Sequence, residues 1–178
     1  IYGDFDAERS SQFVEDLTND FAESVLRLGA YGLNEKARST YSRNSSGWDR
    51  MQANEGIMDY DAGGYRILVN SLQTNFWTTP HQNFTDVRIE VDNGKLAGPD
   101  ENRIGVVCRF NGSDYYFFII SSDGYYGVGL FSGGKAALLG QAEMQPSENI
   151  NKGLAVNHLR ADCVGNTFTF YVNGFHLA

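Results

Sequence analysis

From Val87 onward, apolar and polar residues alternate in short runs broken by glycine- and asparagine-bearing turns. Val87, Ile89 and Val91 alternate with Arg88, Glu90 and Asp92, the two-residue period of a strand with one dry face and one wet face. Ile104, Val106, Cys108 and Phe110 repeat the pattern against Gly105, Val107 and Arg109. Residues 115–120 are large and apolar at every position, as expected of a central strand covered on both faces. The turns Asn111-Gly112-Ser113-Asp114 and Ser121-Ser122-Asp123-Gly124 flank that run and lead into a strand over residues 125–131. Ser132-Gly133-Gly134 then turns into residues 135–139, and a last hairpin joins 158–164 to 167–172 through Gly165-Asn166. With residues 65–69 added, roughly eight short strands at hairpin spacing predict an antiparallel two-sheet sandwich.

Upstream the period is different. Phe13, Leu17, Phe21, Val25 and Leu28 recur at three- and four-residue spacing, which predicts an amphipathic helix over residues 10–29. Ser10 or Ser11 can cap its start and Gly29 can end it, while Glu15, Asp16 and Arg27 suit its dipole. The apolar stripe is narrow, so the helix must lay one face on a surface, either its own sandwich or a neighbouring protein subunit. The polar stretch over residues 32–47 reads as a linker. The chain thus divides into an N-terminal helix and linker, residues 1–41, and a β-sandwich, residues 42–178.

Charge narrows the partners. A formal net charge of −8 disfavours nonspecific binding to phosphate backbones, so no nucleic-acid partner is expected. The longest apolar run, residues 115–120, falls far short of the roughly 20 residues needed for a membrane-spanning helix. The chain opens at Ile1 with neither a Met nor the layout of a signal peptide, and a leader already removed is the expectation.

Several short stretches, in order, resemble the concanavalin A-like lectin/glucanase superfamily, which includes laminin-G-like domains and many bacterial extracytoplasmic domains. They are Ser46-Gly47-Trp48-Asp49, Gly63-Gly64-Tyr65-Arg66-Ile67, Phe84-Thr85-Asp86-Val87-Arg88-Ile89-Glu90-Val91, Gly105-Val106-Val107-Cys108-Arg109, Tyr116-Phe117-Phe118 and Asp123-Gly124-Tyr125-Tyr126. The most specific pair is Asn157-His158-Leu159-Arg160 followed by Tyr171-Val172-Asn173-Gly174. The resemblance implies a jelly roll, an extracytoplasmic location and carbohydrate or protein ligands. Such domains usually continue for another pair of strands beyond this Asn-Gly turn, so an open sheet edge is expected after residue 172.

Cys108 and Cys163 both fall on the apolar side of their strands and can meet in the core, as two buried thiols or as a disulfide. The resemblance to a usually exported domain type favours the disulfide, whose long closed loop would contribute about 4 kcal/mol. His81, His158 and His176 show no metal-ligand or triad spacing. In the glucanase branch the catalytic carboxylates stand in a Glu-x-Asp-x-x-Glu pattern. Here Glu90-Val91-Asp92 is followed by Lys95 where the second Glu should stand, so no acid/base pair for glycoside hydrolysis is present and no enzyme activity is expected. No cofactor is required, although Asp59 and Asp61 begin like a calcium loop. Tyr60, Trp77, Tyr125 and Tyr126, in or beside loops, are the candidate ligand-binding aromatics. Sequons stand at Asn44, Asn83 and Asn111. Two functions follow as expectations: a noncatalytic module recognising carbohydrate or another surface ligand, or an accessory subunit of a surface filament or membrane-associated complex, assembling through the helix and the open edge.

Overall fold

Strands form where the two-residue period runs. The computed structural model describes residues 47–61, 64–72 and 75–178 in full, and the backbone of three further strands, β1 (Tyr2–Asp4), β2 (Ala22–Gly32) and β3 (Ser39–Thr40). There follow β4 (Met51–Ala53), β5 (Gly56–Asp61), β6 (Gly64–Val69), β7 (Val87–Ala97), β8 (Arg103–Cys108), β9 (Tyr115–Ser121) and β10 (Tyr125–Ser132). The chain continues through β11 (Lys135–Leu138), β12 (Gln145–Pro146), β13 (Val156–Val164), β14 (Thr167–Val172) and β15 (Phe175–His176).

One sheet runs β1-β8-β9-β10-β11, with β12 also on β10. In the other, the backbone of β2 joins the ribbon β4-β5-β6 to the group β7-β13-β14-β15. Every pairing is antiparallel. The inner residues Val87, Val91, Leu159, Ala161, Phe170 and Val172 of this sheet share one buried cluster with Ile104, Val106, Phe118 and Ile120 of the first. Cys108 and Cys163 close a disulfide between the two sheets. The protein is therefore mainly β, with two antiparallel sheets packed face to face.

β9 is covered on both sides, as its unbroken apolar run requires. Phe118 and Ile120 enter the core between the sheets, while Tyr115, Phe117 and Ile119 form a second buried cluster with Val107, Phe131, Leu138 and Met144. Gly129 makes that second layer close: a Cβ there would lie 2.1 Å from Cζ of Phe117, so the ring rests on bare backbone.

Two expectations change. Residues 10–21 of the expected helix, including Phe13, Leu17 and Phe21, lie outside the described residues, as does most of the linker. Its last part, with Val25 and Leu28, runs as strand β2 instead, in register with β6 and β7. Leu26, Leu28 and Ala30 also fit a two-residue period, and the facing edges of β6 and β7 offer backbone partners that decide between the periods. The expected open edge is also met differently. β14 pairs with β15, and the Phe170 N–H and C=O bond to the Ala178 carbonyl and the Leu177 N–H at 2.7 and 2.8 Å.

The outer face of the larger sheet carries a charge ladder. Arg88, Glu90 and Asp92 on β7 stand opposite Asp162, Arg160 and His158 on β13, so Arg88 meets Asp162 and Glu90 meets Arg160 with opposite sign. The Arg88 guanidinium donates to both Asp162 oxygens at 2.7 and 3.1 Å, His158 bonds Asp92 at 2.7 Å, and Arg160 bonds Asp162 while lying over the Tyr171 ring at 4.6 Å.

Candidate functional site

The connection between β6 and β7 covers residues 70–86, long for a sandwich, and connections of this length without regular structure are commonly functional. Its second half forms one wall of a cleft of about 410 Å³, inside the roughly 300–1,000 Å³ range typical of ligand sites. Trp48, Val87, Ile89, Val106 and Cys108 supply an apolar floor between the two sheets. Thr79, His81, Gln82 and Asn83 supply a polar rim on one side, and Arg109 and Phe110 close the other.

Each wall is fixed from beneath. The Thr78 hydroxyl, buried, accepts the Asp49 N–H at 3.1 Å, and the Tyr60 hydroxyl accepts the Trp48 N–H at 3.0 Å. Tyr65 donates its hydroxyl to the Asp49 carbonyl. Burial pushes the Tyr65 phenol up to about 12 despite the opposing hydrogen bond with Thr78, so it remains a donor at any ordinary pH. On the far side, Arg109 donates to Asp86 at 3.0 Å and to the carbonyls of Cys163 and Gly165 at 3.3 and 3.0 Å. The Gly165 N–H also donates to Asp86 at 2.9 Å. That bond, followed by the Arg109 contact, holds the Asp86 carboxyl below the usual carboxylate range.

Three non-glycine residues among those described have a left-handed backbone, His81 (φ 53°), Arg109 (φ 55°) and Asn173 (φ 52°). Two of the three line the cleft. Such conformations persist where the surroundings impose them, and they concentrate at functional sites. At Arg109 the turn also ends β8 at Cys108, so Phe110, expected to continue the apolar face of that strand, is 39% exposed at the cleft mouth. Its ring lies 4.5 Å from that of Trp77.

Both ionisable groups of the lining are paired within the protein: Arg109 with Asp86, and His81 with Asp49 at 2.7 Å. The carboxamides of Gln82 and Asn83, both exposed, remain as hydrogen-bonding groups above an apolar floor. The cleft can therefore bind an uncharged, hydroxyl-bearing molecule with an apolar face.

The four aromatics expected at a ligand are not brought together. Trp77 lies outside the cleft lining, its ring against that of Phe110. Tyr60 is a structural post, its hydroxyl under Trp48 and its ring edge-on to Tyr65 at 5.2 Å. Tyr125 and Tyr126 open β10 opposite Pro146 and Gln145, and Tyr126 packs on the main core. Asp59 takes a bidentate bond from Arg50 at 2.6 and 3.1 Å, and Asp61 bonds Arg66 at 3.0 Å. The two carboxylates expected to begin a calcium loop thus face guanidinium groups, and no cluster of three His, Cys, Asp or Glu suited to a metal occurs among the described residues. Glu90 and Asp92 belong to the charge ladder, whereas Lys95 is buried on the opposite face and donates to the Gly98 carbonyl at 3.0 Å and to Asp100. His158 belongs to the ladder too, and His176 lies edge-on to Tyr171. The sequons at Asn83 and Asn111 are exposed; Asn44 lies outside the described residues.

The length of the 70–86 connection, with its Trp-Thr-Thr-Pro-His-Gln-Asn run, was the available sequence signal for this cleft. The floor carried none, because its residues read as ordinary core. Comparison with protein-family models, curated proteins and solved structures returned no match.

Proposed function

We propose that this protein is a noncatalytic extracytoplasmic recognition module that binds carbohydrate in the cleft between its sheets. The observation that carries the reading is a cleft whose ionisable groups are paired within the protein, with free carboxamides on its rim and an apolar floor. A pyranose offers matching surfaces, hydroxyls at its edge and C–H groups on its face. A charged ligand would have to break the Arg109–Asp86 or His81–Asp49 pair. The inter-sheet disulfide supports an oxidising compartment, and no helix among the described residues is long and apolar enough to cross a membrane.

A glycan array probed with the wild-type protein and with the double variant Gln82→Ala, Asn83→Ala tests the reading. Wild-type binding to neutral glycans that falls at least tenfold in the variant is the expected result. Both side chains are exposed, so their loss leaves the core intact. Silence of the wild type across a broad neutral array would overturn the proposal.

A further inference from the structure

The cleft does not end at its own rim. Phe110, which closes it, touches Trp77, and the ring series continues to Tyr115 at 6.3 Å from Phe110 and then to Phe131, stacked on Tyr115 at 5.0 Å with planes 10° apart. Tyr115 is buried, whereas Trp77 and Phe131 are partly exposed and Phe110 is exposed. The aromatic surface open at the cleft mouth is thus Phe110 with Trp77 beside it, backed by the buried Tyr115. Its neighbours in the β8–β9 turn are Asn111, Gly112 and Ser113, all exposed. Asn111 uses its side-chain oxygen to accept the Asp114 N–H at 2.9 Å, and its own N–H donates to the Asp114 carbonyl at 3.2 Å, which closes the turn.

We infer that the ligand is a linear neutral oligosaccharide rather than a single sugar, with one unit in the cleft and the next stacked outside it on Trp77, beyond Phe110 at the mouth. This rests on the carbohydrate reading of the cleft and adds to it the length of the ligand. A cleft of about 410 Å³ is of small-ligand size, and a single sugar held in it would leave the Trp77 ring unused. Stacking on successive aromatic faces tolerates a repeating ligand, because each sugar presents a similar C–H face. The absence of an unpaired charge on the cleft and the net charge of −8 both disfavour an acidic polymer.

The test is isothermal titration of the whole chain with glucose, galactose, mannose and N-acetylglucosamine, and with their linear homo-oligomers of two to six units. For the sugar that binds, the trimer is expected to bind at least tenfold more tightly than the monomer. Trp77→Ala should remove that gain while leaving monomer affinity unchanged, because Trp77 lies outside the cleft. Trp77→Phe, which keeps a ring, should retain most of it. Retained monomer affinity also shows that the variant is folded. If monomer and oligomers bind within twofold of one another, the extended site is wrong and the cleft reading stands. If Trp77→Ala loses monomer binding as well, the separation into inner and outer subsites is wrong. If no sugar of any length binds, both readings fall together.

Discussion

Asn157 lies on the buried face of β13, where a polar side chain must have every group satisfied. It makes three hydrogen bonds to two residues: its side-chain oxygen accepts the Asn151 N–H at 2.8 Å and the Asn173 amide at 2.8 Å, and its own amide donates to the Asn151 carbonyl at 2.9 Å. Asn173 in turn accepts the His158 N–H at 2.9 Å and donates to the Asn149 carbonyl at 2.7 Å. Asn157 and the Asn173-Gly174 turn thus form a clamp that ties the loop before β13 to the turn after β14. Asn173 has a left-handed backbone, which asparagine tolerates better than most residues. Replacing Asn157 by Ala strands the Asn151 backbone groups and should cost about 1–3 kcal/mol, read as a lower urea midpoint with unchanged slope.

At the scale of elements, the charge ladder sets the register of β7 against β13. A slip by one residue would turn its charges into the core, and cross-strand pairs of opposite sign favour the observed alignment. Asp162 is its hub, with a side chain only 13% exposed. Burial alone would raise its carboxyl, but the hydrogen bonds from Arg160 and Arg88 outweigh that and bring it down to about 2 from 3.8. Because the folded value is the lower one, the ladder's contribution is present in full above pH 4 and is lost as pH falls through about 2. A shift of this size corresponds to about 2 kcal/mol. Thermal unfolding of the wild type should therefore weaken between pH 4 and pH 2, and Asp162→Asn should be less stable at neutral pH with a flatter profile across that window.

For the molecule as a whole, the Cys108–Cys163 disulfide does two things. It closes a loop of 55 residues and joins the two sheets at the floor of the cleft, next to the Arg109 joint. Replacing both cysteines by Ala should cost about 4 kcal/mol in the chain-entropy account. Reductant should lower the denaturation midpoint of the wild type and leave the double variant unmoved. Equal midpoints with and without reductant in the wild type would show that the bridge does not constrain the unfolded chain.

The sequence by itself determined β6 to β11, β13 and β14, the double burial of β9 and the facing of the two cysteines, whereas β12 and β15, two residues each, are too short to carry a period. Periodicity and turn chemistry are local properties, and each of these features follows from them. The β4–β5 hairpin went unread because its run is short and mixed, and β2 because Val25 and Leu28 fit a helical period while Leu26, Leu28 and Ala30 fit an extended one. Only the tertiary structure decided that choice, since it depends on strand edges supplied from residues 64–69 and 87–97. The cleft was decided the same way. Its floor and rim come from residues 48, 78–84, 87, 89 and 106–110, segments that share no local pattern and meet only because two sheets pack and a disulfide holds them.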